Sequence, residues 1–242
     1  MTKEDISLLR DKISHTRQCE KVQTSRGKNE ALSTEFGVNR DSLLNRLRSY
    51  HVIQGLPPDI LHDILEGCLC LTVKKILNHH LYESKDEAKK FTLDWLNAAI
   101  RDFDYGYSEV ADKPSELKED YITDNDSVSL HQSGCQLWLL ATILPIIIGP
   151  YMDLDDKYYQ NLLDMIEISR IVFSTEISKW MVTYLGDLIE LYLSNYISLY
   201  GPLIPKQHYL VHYPSLMLLL GPLVNFMCLR CEAKHKYFKK KL

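Results

Sequence analysis

Four residues in one short stretch carry the densest chemistry of the chain. Asp59, His62, Asp63 and Glu66 stand at i, i+3, i+4 and i+7, a spacing that places all four on one face of a helix. Three carboxylates and an imidazole on one stripe suit a hard divalent cation, Mg2+ or Mn2+, better than a thiolate-seeking one. The same residues have a purely structural use, because Asp59 directly follows Pro57 and Pro58 and can cap a helix. Acidic side chains in a first turn are also favoured by the helix dipole. Near the C-terminus Glu232 and His235 repeat the theme at i, i+3, the spacing with which helix bundles project ligands inward. Lys234, Lys236, Lys239, Lys240 and Lys241 surround that pair with positive charge, so a solvated ion-pair network competes with the ligand reading.

Other groupings are incomplete. His208 and His212 are four apart, as in helical zinc pairs, but no glutamate follows the first histidine as the HExxH pattern requires. Cys228 and Cys231 with His235, and Cys68 and Cys70 with His79 and His80, each lack a full tetrahedral set and read as structural thiols. No phosphate-binding glycine loop, serine nucleophile elbow or dinucleotide fingerprint is present.

The elements that must position these residues read as helices throughout. Pro57 and Pro58 open a helix in which Ile60, Leu61, Ile64, Leu65, Leu69, Leu71, Ile76 and Leu77 continue to about His80. Phe91, Leu93, Leu96 and Ile100 mark the inner side of the next. Residues 153–172 and 175–199 follow as two amphipathic helices, Gly201 and Pro202 break the pattern, and Pro205 restarts it. Residues 226–241 are expected to close the chain as a helix with a basic end. Seven or eight helices and no strand make the fold class mainly α. Residues 1–50 are polar, with one amphipathic helix around Ile6–Ile13, a linker-like stretch over 23–40 and a short helix capped by Asp41 or Ser42. Residues 51–242 form the helical domain, in which 102–127 reads as an acidic surface loop.

Composition sets wide bounds. With 242 residues, 45% of them apolar and 25% charged, the chain can bury a sizeable core. A net charge of −4 gives no global field toward nucleic acid. The six cysteines do not read as a disulfide framework in a chain of this length, and Met1-Thr-Lys-Glu-Asp5 opens without a signal peptide. The expectation is an intracellular protein, nuclear or cytoplasmic. Residues 135–152 are nearly all apolar but contain Gln136, Pro145, Gly149 and Pro150. They are read as a buried core helix, with no membrane span.

Several stretches together resemble DDE-type transposase-derived proteins of the CACTA/Mirage/Chapaev-like group. They are Asp41-Ser-Leu-Leu-Asn45, Gly55-Leu-Pro-Pro-Asp-Ile-Leu-His-Asp-Ile-Leu-Glu-Gly67, Leu137-Trp-Leu-Leu140 with Leu144-Pro-Ile-Ile-Ile-Gly149, Pro205-Lys-Gln-His-Tyr-Leu-Val-His-Tyr-Pro214, and Gly221-Pro-Leu-Val224 with Arg230-Cys-Glu-Ala-Lys-His-Lys-Tyr-Phe-Lys239. The resemblance implies a nuclease on an RNase H-like core, of which these helices would be the insertion and C-terminal part. It further implies two Mg2+ or Mn2+ ions held by paired carboxylates for strand cleavage and transfer on DNA. By position, Asp59, and less directly Asp63, would be a catalytic aspartate and Glu232 the closing glutamate. Cys231 stands where an aromatic residue is expected. The group carries a further acidic residue and a zinc module upstream, so the chain is expected to be truncated at its N-terminus and inactive by itself. A catalytically dead helical module that binds DNA or a protein partner is the alternative.

Overall fold

The computed structural model of the protein describes residues 2–5, 9–25, 29–84 and 91–228. Among these residues there are eleven α-helices, eight of them eight residues or longer, and no strand. The chain divides into two compact units, Glu4–Pro58 and Asp59–Leu242, the latter joined by Met1–Lys3.

In the first unit α1 (Lys12–Thr24) starts with a capping box. The Asp11 carboxylate accepts from the Ser14 backbone N–H at 2.6 Å, and Ser14 Oγ accepts from the Asp11 N–H at 3.1 Å. Asn29–Phe36 forms α2 inside the stretch that reads as a linker. Ser42 caps a 3-10 turn over Leu43–Arg46, accepting from Leu44 N at 3.2 Å. Val52–Gly55 is a single helical turn, α3. The His51 ring caps it, its Nδ1 accepting the Ile53 N–H at 3.2 Å. Among the described residues of this unit His15, Cys19 and Val22 are buried, while Ile13, Leu43, Leu47 and Leu56 face solvent.

The second unit is built on one long helix that changes pitch twice. It is π-helical over Leu61–Cys68, α-helical as α4 (Leu69–Asn78), and π-helical again over His79–Glu83. Ile64, Cys68, Leu69, Val73, Ile76 and Leu77 have no exposed surface, so the sequence's unbroken apolar run is a helix covered on most sides. α4 packs on α8 (Lys157–Val172), which lies along α9 (Lys179–Tyr200). Asp156 caps α8 through Tyr158 N at 2.8 Å, and Ser178 caps α9 through Met181 N at 3.2 Å. α7 (Gly134–Ile148) touches the first π stretch from one direction, and α10 (Pro205–Leu210) touches it from another. α5 (Leu93–Asp102) packs on α7, and α11 (Tyr213–Leu220) on α9. Gly134–Tyr151 is long and apolar enough to cross a bilayer by length and composition alone. In the fold Leu137, Leu140, Ala141, Leu144 and Ile148 pack into the core, while Ile146 is exposed.

Residues 102–127 are more than a surface loop. They include a 3-10 turn at Val110–Asp112 and the short helix α6 (Glu119–Thr123), and they bury Tyr105, Leu117 and Ile122. Asn97 on α5 exchanges both amide hydrogen bonds with Leu117, at 2.8 and 2.9 Å. Lys74, buried on α4, donates to Ser127 O at 2.7 Å and to Asp124 O. Acidic, turn-rich composition hides such anchoring because backbone groups make much of the attachment and the buried side chains Tyr105, Leu117 and Ile122 are widely spaced.

Candidate metal centre

The first π stretch carries His62, Asp63 and Glu66, and Asp59 stands just before it. A π turn is wider than an α turn and leaves carbonyls in loose geometry. Lys206 of α10 uses two of them, donating to His62 O at 2.9 Å and to Glu66 O at 3.4 Å. Gly67 makes room for that contact: a Cβ there would stand 2.6 Å from Lys206 Cδ.

At the head of this stretch Asp59, His62 and Cys228 converge. Asp59 Oδ1 accepts the Cys228 N–H at 3.1 Å, and Oδ2 accepts from Cys228 Sγ at 2.8 Å. His62 Nδ1 bonds the same Oδ2 and lies 3.5 Å from Cys228 Sγ. The other ring nitrogen, Nε2, faces Glu66 Oε2 at 3.6 Å. The three donor atoms fall within 4.8 Å of one another. Burial acts to raise the Asp59 carboxyl, but the hydrogen bonds from Cys228 and His62 outweigh it and hold the group below the usual carboxylate range. The charged form therefore persists in a partly buried setting.

Asp63 goes elsewhere. It is buried, and its Oδ2 accepts from Tyr213 OH of α11 at 3.1 Å. Burial pushes its carboxyl above the ordinary range, against the lowering effect of the Tyr213 bond and of Lys206. Of the four-residue stripe, the structure brings Asp59, His62 and Glu66 together and turns Asp63 into the core. Glu232 and His235, the residues expected to complete the site, lie outside the described residues, as does Cys231.

The remaining groupings take structural places. His208 and His212 stand edge to face, ring centroids 5.1 Å apart, and burial followed by the His212 charge lowers His208. Cys68 is fully buried, with its thiol pushed far up by burial, and Cys70 Sγ donates to Val128 O at 3.2 Å. His79 stacks on Tyr158 at 3.5 Å, and His80 faces Asp156 at 3.6 Å.

The donor set at Asp59 is one carboxylate, one imidazole and one thiol. That combination suits a borderline divalent ion such as Zn2+, with three protein ligands and a fourth position for water. It does not by itself fit Mg2+ or Mn2+, which ask for several oxygens. Glu66 occupies the place of the carboxylate that orients a ligating histidine through its second nitrogen. Beside the group opens a cavity of about 680 Å³ with Leu61, Leu65, Glu66, Trp138, Phe173 and Met227 in its wall. Cys228 is the residue that sequence reasoning pairs elsewhere, with Cys231. A separation of 169 residues from Asp59 leaves no local signal for the contact the fold makes.

Comparisons with protein-family models, curated proteins and solved structures found no match.

Proposed function

We propose that the chain is a transposase-derived helical protein that holds a divalent cation at Asp59, His62 and Cys228 and does not cut DNA by itself. One observation carries the reading: Asp59, heading the segment Asp59–Gly67, is bonded through both carboxylate oxygens to Cys228. Cys228 stands four residues before Glu232, so the two segments expected to supply metal ligands approach each other at this point. Catalytic incompleteness follows from the carboxylates in place. Two-metal phosphoryl transfer needs acidic groups on both ions, about 4 Å apart. In the group formed by Asp59, His62 and Cys228 the one carboxylate is that of Asp59, and Asp63 is committed to Tyr213. Mg2+ or Mn2+, the ions the resemblance implies, would need Glu232 to join Asp59, whereas Zn2+ needs only the three donors in hand.

The test is cation binding followed calorimetrically, with Zn2+, Mn2+ and Mg2+ in separate titrations, alongside a supercoiled-plasmid nicking assay in each ion. Zinc binding weakened at least tenfold by Cys228→Ser and by Asp59→Asn, with no nicking in any ion, is the expected result. Nicking that disappears in Asp59→Asn would overturn the inactive reading. Ion affinities that ignore both substitutions would sink the site.

A non-enzymatic docking module is the second reading, favoured by one surface feature. Trp180 and Tyr184 stack on the outside of α9, centroids 5.7 Å apart, with Trp180 72% exposed. An exposed aromatic pair is a common anchor for a partner or for unpaired bases. Fluorescence titration of Trp180 with single-stranded DNA, against a Trp180→Ala control, separates DNA from protein partners.

A further inference from the structure

The N-terminal unit carries a second donor group, unrelated to the reading above. His15 and Cys19 are one turn apart on the inner face of α1, and both are buried. Cys19 Sγ lies 3.7 Å from His15 Nε2 and 3.9 Å from its Nδ1. Bond lengths of about 2.3 Å to sulfur and about 2.05 Å to nitrogen, at a tetrahedral angle, put these two atoms about 3.6 Å apart around zinc. Asp41 brings a carboxylate oxygen to the pair, so that the three donor atoms lie within 4.8 Å of one another. They come from two segments, α1 and the start of the Leu43–Arg46 turn.

The surroundings hold Asp41 in place. Asn45 Nδ2 donates to Asp41 Oδ1 at 2.7 Å, and Asn45 Oδ1 accepts the Val52 N–H at 2.9 Å. One amide thus ties the carboxylate to the turn that follows His51, in the manner of outer groups that orient metal ligands. The His51 ring stands edge-on to His15, centroids 5.4 Å apart. Its Nδ1 accepts the Ile53 N–H, so Nε2 keeps the ring proton and His51 forms a wall instead of a ligand.

An independent observation asks for a crosslink here. This unit of about 55 residues buries, among its described residues, one histidine, one cysteine and one valine. Leu43, Leu47, Ile13 and Leu56 are each more than half exposed. A unit of this size with so little apolar burial lacks the hydrophobic term that normally offsets chain entropy, and small domains in that position use a disulfide or a metal. Cys19 forms no disulfide.

We propose that His15, Cys19 and Asp41 form a structural zinc site in the N-terminal unit, with the fourth position taken by water on the exposed side of Asp41. The ion would join α1 to the Asp41–Asn45 segment and supply the cohesion that three buried side chains do not.

The experiment uses the full chain carrying Asp59→Asn and Cys228→Ser, which silences the other candidate site. The protein is loaded with Zn2+, dialysed, and its metal content measured by plasma mass spectrometry, with hydrogen exchange over residues 11–58 in zinc and in chelator. One zinc per chain is expected, with slower exchange of α1 and the Leu43–Arg46 turn in zinc. Cys19→Ser should lower zinc affinity at least tenfold and abolish the added protection. Asp41→Asn, at an exposed position where folding is not in question, should weaken binding in the same direction. No bound zinc, zinc content indifferent to both substitutions, or bound zinc without a change in exchange would each overturn the proposal. Because the other site is silenced throughout, its failure or success leaves this outcome unaffected.

Discussion

The Tyr192 hydroxyl holds together the scaffold behind the Asp59 segment, and its removal has a calculable cost. Tyr192 on α9 has no exposed surface. Thr72 on α4 gives its proton to Cys68 O at 2.8 Å, so the Tyr192 hydroxyl donates to Thr72 Oγ1 at 2.9 Å and accepts from Gln207 Nε2 of α10 at 3.2 Å. Gln207 neighbours Lys206, which grips the π-helical carbonyls. Tyr192→Phe removes both bonds and leaves one Gln207 N–H without a partner where no water reaches. A lost bond costs about 1 kcal/mol net and a stranded buried donor about 1–3 kcal/mol, so the substitution should cost about 2–3 kcal/mol, or about 5–10 °C in Tm for a unit of this size. Thr72→Val removes the acceptor of the Tyr192 O–H and strands that proton in the core, so it should also cost about 2–3 kcal/mol, even though the Tyr192 oxygen keeps its bond from Gln207. The two changes remove one shared bond, and the double variant has no stranded Tyr192 proton, so it should fall short of the sum by about 2 kcal/mol. Urea denaturation of the four proteins, followed by circular dichroism, measures each value. A Tyr192→Phe cost under about 0.5 kcal/mol, or strict additivity, would refute this account of the network.

Two further outcomes follow from single residues. Asp164 on α8 is raised above the ordinary carboxylate range by burial, so folding favours its protonated form, and that contribution is lost as pH rises through the folded value. Asp164→Asn should therefore melt higher than the parent at pH 7, and the difference should close below about pH 4, where the carboxyl is protonated in the unfolded chain as well; parallel melts at the two pH values check it. Gly67→Ala should destabilise by about 1 kcal/mol, because the new methyl displaces Lys206 and the lost charged hydrogen bond outweighs the gain in helix propensity. In a Lys206→Ala background, which removes both the clashing Cδ and the charged hydrogen bond, the same change should cost less, and an undiminished cost there would exclude Lys206 as its cause.

The sequence makes the helical framework readable because its signals are local. The apolar patterns over 153–172 and 175–199 become α8 (Lys157–Val172) and α9 (Lys179–Tyr200), each starting later than the pattern does, where the Asp156 or Ser178 side chain reaches free N–H groups. Gly201, at φ 94°, ends α9 in a conformation costly for other residues. The Asp59–His62 pair is equally legible, as i, i+3 neighbours. What composition hides is everything settled by distant contact. Cys228 looks like half of a Cys-x-x-Cys pair until the fold brings it to Asp59. Asp63 looks like a fourth member of an acidic stripe until a π turn and Tyr213 draw it inward. His15 and Cys19 look like two isolated residues of a polar helix, and their value appears only once Asp41 arrives from another segment.

The two π stretches give the central helix an unusual tolerance for changes in its own length. Each π turn holds one residue more than the α turn it replaces. Loss of one residue within Leu61–Cys68 or His79–Glu83 can be absorbed by tightening that stretch to α pitch. The buried face of α4 between them keeps its neighbours on α8 either way. A length change at either end of this helix is thus separated from the register of α4, and in the first stretch it falls on Ile64 and Cys68, which that stretch itself buries.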